Sequence, residues 1–147
     1  MKDEIALSPT QLTVALTAAF KSRLRVLVKG EPGIGKTMIV RAVAAAVGAT
    51  LITMPPSVSD PTDYKGLPFV VDGKAEFLPF GELDAVLNAN KPTILFLDDL
   101  GQASTAVQAA VMQLADRIKD NSNVVLFAAT NERTHRAGVT GLLEPVK

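Results

Sequence analysis

The 147-residue sequence has no cysteine, a single histidine and no excess of either charge sign. The lack of cysteine excludes a disulfide framework, thiolate metal sites and cysteine nucleophiles, and it fits the reducing cytoplasm that we predict as the location. Lysine plus arginine and aspartate plus glutamate each total 15, so no global positive charge favours nucleic acid or anionic lipid. No apolar run reaches the roughly 18 residues that span a bilayer, and residues 1–10 lack a secretory pattern. With 48% hydrophobic residues, we expect one soluble globular domain without membrane segments.

Helix-type and strand-type patterns alternate along the chain. Ser8 and Pro9 are a helix-start signal, Gly48 is a candidate helix C-cap, and Asp72-Gly73 between alternating apolar residues indicates a hairpin within residues 69–78. The patterns predict helices over residues 9–20, 37–47, 82–90 and 105–118, and strands over residues 24–28, 50–54, 93–97 and 124–128. This alternation predicts an α/β fold in which helices cover both faces of a parallel sheet and ligands bind at the carboxyl ends of its strands.

A glycine-rich segment between the first strand and the second helix matches the phosphate-loop pattern of two glycines four residues apart, followed by lysine and threonine. In that context, backbone amides and the helix N-terminus converge on one anion. Lys36 would reach the β- and γ-phosphates, and the Thr37 hydroxyl would bind Mg²⁺. The alternative is a strand-to-helix turn with an incidental lysine. The residues predicted to bind the nucleotide are Gly30, Glu31, Pro32, Gly33, Ile34, Gly35, Lys36, Thr37 and Met38.

The apolar run over residues 94–97 ends abruptly in two carboxylates, Asp98 and Asp99. A carboxylate at the tip of a core strand beside a phosphate loop can hold Mg²⁺ through its water shell, which is the role we predict for Asp98. Asp99 would then orient or deprotonate an attacking water. The alternative is that both acids mark a solvated loop after the strand.

These residues resemble the AAA+ ATPases. Residues 30–37 are similar to the Walker A element, residues 94–99 to Walker B, and residues 124–131 to the strand that ends in the sensor 1 asparagine. The resemblance implies a three-layer phosphate-loop NTPase fold, the AAA+ large subdomain, with Asn131 bonding the γ-phosphate or the lytic water. The hairpin near Asp72-Gly73 and residues 141–145 look most like the MoxR and dynein-related branch.

The sequence departs from the family pattern in two respects. The second Walker B acid is usually glutamate, whereas Asp99 is one methylene shorter, so hydrolysis is expected to be slow. The arginine finger and the helical lid normally follow the segment that ends at Lys147. The resemblance therefore implies a core over residues 1–147 that is truncated before both, and weak activity for it.

Several other residues carry open alternatives. Tyr64-Lys65-Gly66 stands where ring ATPases carry aromatic pore loops, but a loop anchored beside the nucleotide by Asp60 and Asp63 is at least as well supported. Arg133 and Arg136 are interpreted as solvated charges rather than contacts to a neighbouring subunit, and His135 as a surface residue.

The sequence thus predicts an ATP-hydrolysing, Mg²⁺-dependent core with Lys36, Asp99 and Asn131 as catalytic residues and Thr37 and Asp98 as metal ligands. By the resemblance, the full-length protein forms a homo-oligomeric ring that remodels a protein or nucleic-acid partner. ATP is expected rather than GTP because no Asn-Lys-x-Asp element is present. The alternatives are a non-catalytic ATP-binding switch and a small-molecule kinase, the latter disfavoured by the short tail after Asn131.

Overall fold

The computed structural model describes residues 7–30 and 35–131. Within these ranges the chain forms five α-helices, six β-strands and two single-turn 3₁₀ helices. The helices are α1 (Pro9–Lys21), α2 (Lys36–Val47), α3 (Thr62–Lys65), α4 (Gly81–Leu87) and α5 (Thr105–Ile118). The strands are β1 (Val26–Gly30), β2 (Thr50–Met54), β3 (Leu67–Val71), β4 (Lys74–Leu78), β5 (Thr93–Leu97) and β6 (Val124–Asn131). The 3₁₀ turns are Pro56–Val58 and Leu100–Gln102.

Four strands form a parallel sheet in the order β1-β6-β5-β2. Its middle is buried and almost wholly apolar: every residue of β5 is buried, and so is every residue of β6 before Asn131, with Thr93 and Thr130 as the polar residues among them. Strands of a parallel sheet are buried on both faces when helices cover both, which explains the continuous hydrophobic runs in the sequence. The predicted parallel sheet is confirmed.

Two hydrophobic clusters lie on opposite faces of this sheet, because successive strand residues point to opposite sides. On one face, α1 and α2 pack on Ile94 and Phe96; on the other, α3, α4 and α5 pack with Leu95 and Leu97. The result is the predicted three-layer α/β architecture. None of the helices in the described ranges is long and apolar enough to cross a membrane.

The first strand begins later than the sequence predicted. Arg23 has a left-handed backbone with φ 61°, and the Leu24 N–H donates to the Ala19 carbonyl, so these residues complete the C-terminal turn of α1. The strand therefore begins at Val26, not at residue 24, and continues to Gly30. The predicted strand is confirmed, but its bounds of 24–28 were wrong, because an apolar residue can belong to a helix cap as well as to a strand.

Two other predicted ends were also wrong. Helix α4 ends at Leu87 rather than at residue 90, because Asn88 turns back and donates from its Nδ2 to the Asp84 carbonyl and carboxylate. Strand β6 continues past residue 128 to Asn131, because it pairs with β1 as far as Gly30. This extension brings the asparagine level with the start of the glycine-rich segment.

The predicted hairpin is confirmed as the antiparallel ribbon of β3 and β4. Asp72 (φ 51°) and Gly73 (φ 79°) occupy its two-residue turn, and two positive φ values are the geometry that Asp-Gly favours there. Nearly all residues of the ribbon are exposed. At its base, a Cβ on Gly66 (φ 94°) would lie 2.5 Å from the Leu78 carbonyl oxygen, so glycine is required for this close approach.

Candidate functional site

Three elements meet at the carboxyl end of the parallel sheet around a cavity of about 340 Å³. They are the start of α2, the end of β5 and the end of β6, and each contributes polar groups. The lining residues are Gly35, Lys36, Thr37, Met38, Asp98, Asp99 and Asn131. Residues that lie far apart in the sequence are therefore brought to one place by the parallel sheet.

The start of α2 forms one wall of this cavity. Gly35 is the N-cap residue in a left-handed conformation (φ 84°), and it makes no side-chain cap hydrogen bond. The first backbone N–H groups of a helix have no partner within the helix and carry partial positive charge. This wall therefore favours an anion.

Lys36 is buried at the edge of the cavity, with 8% of its surface exposed. Its Nζ donates to the Gly30 carbonyl oxygen at 3.2 Å and to Asn131 Oδ1 at 3.4 Å. Burial lowers the pKa of Lys36, and the nearby carboxylates of Asp98 and Asp99 oppose that shift by favouring the ammonium. The ammonium is thus held on the same side of the molecule as both acids.

Thr37 and Asp98 lie side by side in the lining of the cavity, and the Thr37 Oγ1 donates to Asp98 Oδ2 at 3.4 Å. The backbone N–H of Asp98 donates to the Met54 carbonyl oxygen at 3.2 Å, which fixes the acid at the end of β5. A hydroxyl and a carboxylate are hard oxygen ligands of the kind that Mg²⁺ prefers. The described residues contain no cluster of three or more His, Cys, Asp or Glu residues suited to a metal, and Mg²⁺ fits such a sparse set because it keeps waters and phosphate ligands.

Asp99 and Asn131 form the third part of the site. Asp99 has a left-handed backbone (φ 61°) at the start of the Leu100–Gln102 turn, and its Oδ1 accepts from Asn131 Nδ2 at 3.4 Å. The other end of the same amide accepts from Lys36. Asn131 therefore links the cation to the second acid.

The structure places five of the predicted side chains together: Lys36, Thr37, Asp98, Asp99 and Asn131. Met38, an exposed residue, also lines the cavity. Some predicted residues lie outside the described ranges, so their positions stay predictions. They are Glu31, Pro32, Gly33 and Ile34, together with Arg133, His135, Arg136 and residues 141–145.

Tyr64 does not occupy the position of an aromatic pore residue. It is fully buried within the cluster beneath α5, and its hydroxyl donates to Ser59 Oγ at 3.1 Å. A side chain that packs in the core cannot grip a substrate, so the pore alternative fails for Tyr64 in this structure. For the alternative, a loop anchored beside the nucleotide by Asp60 and Asp63, the structure shows only a contact between these two residues. Asp63 Oδ2 accepts from the Asp60 N–H at 2.9 Å.

Met54 is a contributor that the sequence analysis missed. Its carbonyl holds the backbone of Asp98, and this contact exists because β2 lies beside β5. Sequence patterns identify each strand but not its neighbours, so no local pattern could have indicated Met54.

Comparison with known proteins gives relatives of several kinds. The chain is 30% identical over 112 residues to Chaperone MoxR1 of Mycobacterium tuberculosis, covering 75% of this chain and 28% of that protein. It is 33% identical over 141 residues to the anaerobic nitric oxide reductase transcription regulator NorR of Aeromonas salmonicida, covering 82% and 26%. It is 32% identical over 125 residues to the ATPase family gene 2 protein of Schizosaccharomyces pombe, covering 72% and 13%. The chain therefore spans less than a third of each of these relatives.

Among solved structures, the Thermotoga maritima RuvB Holliday junction branch migration motor superposes with a TM-score of 0.56 and 18% identity, over 92% of this chain and 39% of that one. At this identity the match shows the fold alone. The AAA family, ATPase family associated with various cellular activities, matches residues 26–137, which include β1, β5, β6 and all five of the clustered side chains. The sequence, the fold and the site lead to one conclusion: this chain belongs to the AAA family of ATPases.

Proposed function

We propose that this domain binds ATP with Mg²⁺ and hydrolyses it, with Lys36, Asp99 and Asn131 as catalytic residues. The observation that supports the proposal is the meeting of one buried ammonium and two carboxylates around a cavity at the start of α2. Charges of both signs in one cavity match a triphosphate accompanied by a cation, which carries both signs itself. Membership of a nucleotide-binding family agrees with it.

The phosphate chain would lie against the start of α2. The first N–H groups of the helix would supply donors there, and Lys36 would add a full positive charge. Burial lowers the pKa of Lys36, and the carboxylates of Asp98 and Asp99 oppose that shift by favouring the ammonium. In this role Lys36 acts on the β- and γ-phosphates, where charge changes during the reaction.

Thr37 and Asp98 are the residues that would hold Mg²⁺. Bound there, the cation would neutralise charge on the β- and γ-phosphates. Asp98 suits the role because the Met54 carbonyl fixes its backbone, and Thr37 because the helix fixes its position in the first turn. Both residues are half-buried, which limits competition from bulk water.

Asp99 would take the proton of the attacking water. The water oxygen bonds to the γ-phosphorus, the bond to the β–γ bridging oxygen breaks, and ADP leaves with inorganic phosphate. Asn131 holds the Asp99 carboxylate through Nδ2, and through Oδ1 it contacts the ammonium of Lys36. An incoming γ-phosphate would compete for these contacts, so Asn131 would move with the state of the nucleotide.

We further propose that the domain acts within a ring of identical subunits and couples hydrolysis to the remodelling of a protein or nucleic-acid partner. The relatives include proteins named as a chaperone and as a transcription regulator, and a structural neighbour is named as a branch migration motor. Loss of γ-phosphate contacts can release switch elements, which would provide the movement. Velocity sedimentation of a longer polypeptide with ATP, ADP and no nucleotide tests this; an unchanged sedimentation coefficient would contradict ring formation.

Nucleotide affinity tests the site directly. Titration calorimetry with Mg-ATP should show affinity at least about 10-fold weaker in Lys36→Ala and clearly weaker in Thr37→Ala, because each loses a phosphate or metal contact. Lys74→Ala is the matched control, since it removes a lysine from the exposed ribbon. Unchanged Mg-ATP binding in both site variants would exclude the proposal.

A non-catalytic ATP switch is the second candidate, and the observation that favours it is Asp99 itself. Its side chain is short, and Asn131 already engages its carboxylate. Phosphate release by Asp99→Glu separates the two: a large gain in turnover from an inactive parent supports the switch. Measurable turnover in the parent that Asp99→Asn abolishes supports hydrolysis.

A further inference from the structure

A second cavity, of about 240 Å³, lies at the carboxyl end of β2, outside the nucleotide site. We propose that it binds a lysine or arginine side chain of a protein partner. The cavity is formed by the end of β2, the turn that follows it and the start of α4. Its lining residues are Met54, Pro55, Val58, Ser59, Asp63, Phe80, Glu82 and Leu83.

The cavity combines apolar walls with acidic groups. Met54 and Leu83 are buried in its floor, whereas Val58 is 81% exposed and Phe80 40% exposed. Asp63 is half-buried in the wall, and Glu82 lies on the exposed first turn of α4. An aliphatic stem could therefore pack on apolar atoms while a charged head reaches the carboxylates.

The two carboxylates lie beside the same wall. Both act electrostatically on Tyr64 from nearby, and the Tyr64 hydroxyl donates to Ser59, a residue of the cavity. The Asp60 N–H fixes Asp63 by donating to Oδ2 at 2.9 Å. The acids therefore converge from two different elements, the 60–65 segment and α4.

No counter-charge from this part of the chain neutralises the pair. Within residues 7–30 and 35–131, neither Asp63 nor Glu82 takes part in an ion pair. Lys65 is close in sequence, but its ammonium lies over the Phe77 ring, 5.2 Å from the centroid. As far as the described part of the chain is concerned, the cavity thus offers negative charge without an ion-pair partner to a visiting cation.

Charge complementarity selects the occupant. A nucleic acid would bring phosphates towards two carboxylates, which repel it. A basic side chain meets opposite charge, and the exposed Val58 and Phe80 provide contacts for the residues that flank it in a polypeptide. A free small amine would leave these apolar residues uncovered, which is why we assign the site to a protein segment.

The inference rests on the proposed function only because a remodelled partner must be held somewhere on the domain. Met54 belongs to both places, since its carbonyl accepts from the Asp98 N–H and the residue also lines the second cavity. Binding of a basic side chain itself needs no nucleotide. Peptide binding is therefore tested without ATP, so that a failure to bind the basic side chain can be told apart from a failure to hydrolyse ATP.

The test uses the whole chain and a fluorescein-labelled peptide in which arginine stands between two leucines. Fluorescence anisotropy at low salt should show binding that weakens about 10-fold when citrulline replaces arginine, since citrulline keeps the shape and loses the charge. The double variant Asp63→Asn/Glu82→Gln should weaken binding of the arginine peptide by about 10-fold. The amide introduced by Asp63→Asn keeps an oxygen that can accept from the Asp60 N–H, so the local turn is preserved.

The matched control is Asp72→Asn/Glu76→Gln, which makes the same changes of charge and residue type on the exposed ribbon. We expect less than about a 2-fold effect from it, because exposed charges outside the cavity contribute little. Equal binding of the arginine and citrulline peptides by the unaltered chain would overturn the proposal, and this arm does not depend on any variant folding. If both double variants lost affinity equally, the binding would be a general charge effect and the proposal would fail. If methylguanidinium bound as tightly as the peptide, a protein segment would be excluded as the occupant.

Discussion

Strands β3 and β5 are both five residues long and almost wholly apolar, yet they have opposite environments. Residues 67–71 are largely exposed on a two-stranded ribbon, whereas residues 93–97 are all buried at the centre of the parallel sheet. Helices cover both faces of β5, and no comparable layer covers β3 within the described residues. Local apolarity therefore identifies a strand, but only the layers around the strand decide whether it is buried.

The ends of β3 and β5 have similar backbone geometry but different roles. Each is followed closely by an aspartate with a left-handed backbone, Asp72 (φ 51°) after β3 and Asp99 (φ 61°) after β5. Asp72 continues into Gly73 and reverses the chain, while Asp99 meets Asn131 from the neighbouring strand. The same local geometry is a turn in one place and a candidate catalytic position in the other, because a second strand lies beside it.

The largest expected difference concerns a pair of phenylalanines. Phe96→Ala in β5 should lower the free energy of unfolding by about 3–5 kcal/mol because it opens a cavity in the core. Phe69→Ala in β3 should cost less than about 1 kcal/mol, since Phe69 is 52% exposed. Urea unfolding followed by circular dichroism measures both. Similar losses would mean that the ribbon is covered in solution.

The second difference concerns the two aspartates. Asp99→Asn should lower ATP turnover by about 100-fold or more, because the general base is lost while asparagine still tolerates the left-handed backbone. Asp72→Asn should leave turnover within about 2-fold, since it changes an exposed turn. Phosphate release under saturating Mg-ATP measures both, with nucleotide binding checked separately. An equal effect of the two substitutions would remove Asp99 from the catalytic role.

The third prediction concerns the boundary between core and ribbon, at Tyr64. Burial raises the pKa of Tyr64 to about 12, with smaller contributions from Asp63 and Glu82 and an opposing hydrogen bond to Ser59. The folded state therefore favours the neutral phenol, and this stabilisation is present below pH 10 and lost as the pH rises from about 10 through 12.

Tyr64 is the only tyrosine and tryptophan is absent, so absorbance at 295 nm follows its ionisation without interference. The midpoint should lie near 12 in the folded chain and near 10 in urea. Above pH 10, the stability of the Tyr64→Phe variant should fall less steeply than that of the parent. A folded-state midpoint near 10 would show that Tyr64 belongs to the exposed region after all.

The smallest expected difference concerns two glycines of the ribbon. Gly66→Ala at the base should destabilise by about 1–3 kcal/mol, because the new Cβ meets the Leu78 carbonyl oxygen and the backbone is left strained. Gly73→Ala at the tip should cost about 1 kcal/mol, since nothing lies within 4 Å of the added Cβ and only the positive φ resists it. Thermal unfolding compares the two. A larger cost at the tip would mean that turn geometry, not the contact with β4, limits the ribbon.

Much of the fold could be predicted because short sequence patterns indicate most of its helices and strands. Strands 50–54 and 93–97, helix 105–118 and the Asp-Gly hairpin have the expected bounds or position. Errors fall at ends, as at Leu24 and Asn88, where a backbone or side-chain hydrogen bond closes a helix. The short helix around Tyr64 was missed because a single turn has too few residues to show a helical period.

The candidate site, too, could be predicted only in part. Lys36, Thr37 and Asp98 could be selected in advance because each follows a short recognisable run, the glycines before Lys36 and Thr37 and the apolar strand before Asp98. Asn131 was selected by the resemblance to the AAA+ ATPases. The contact of Met54 with Asp98 and the link from Asn131 to both Lys36 and Asp99 could not be predicted, because they depend on which strands are neighbours.

The amino-acid order by itself determined the alternating elements, the glycine-rich turn into α2 and the acids that close β5, since propensity, spacing and turn chemistry act over a few residues. Only the tertiary structure decided that β6 lies between β1 and β5, that β3 remains exposed and that Tyr64 is enclosed. The physical reason is that strand pairing and layer packing join residues distant in the chain. The free energies of strand pairing and layer packing depend on the whole arrangement, so no short stretch of sequence indicates them.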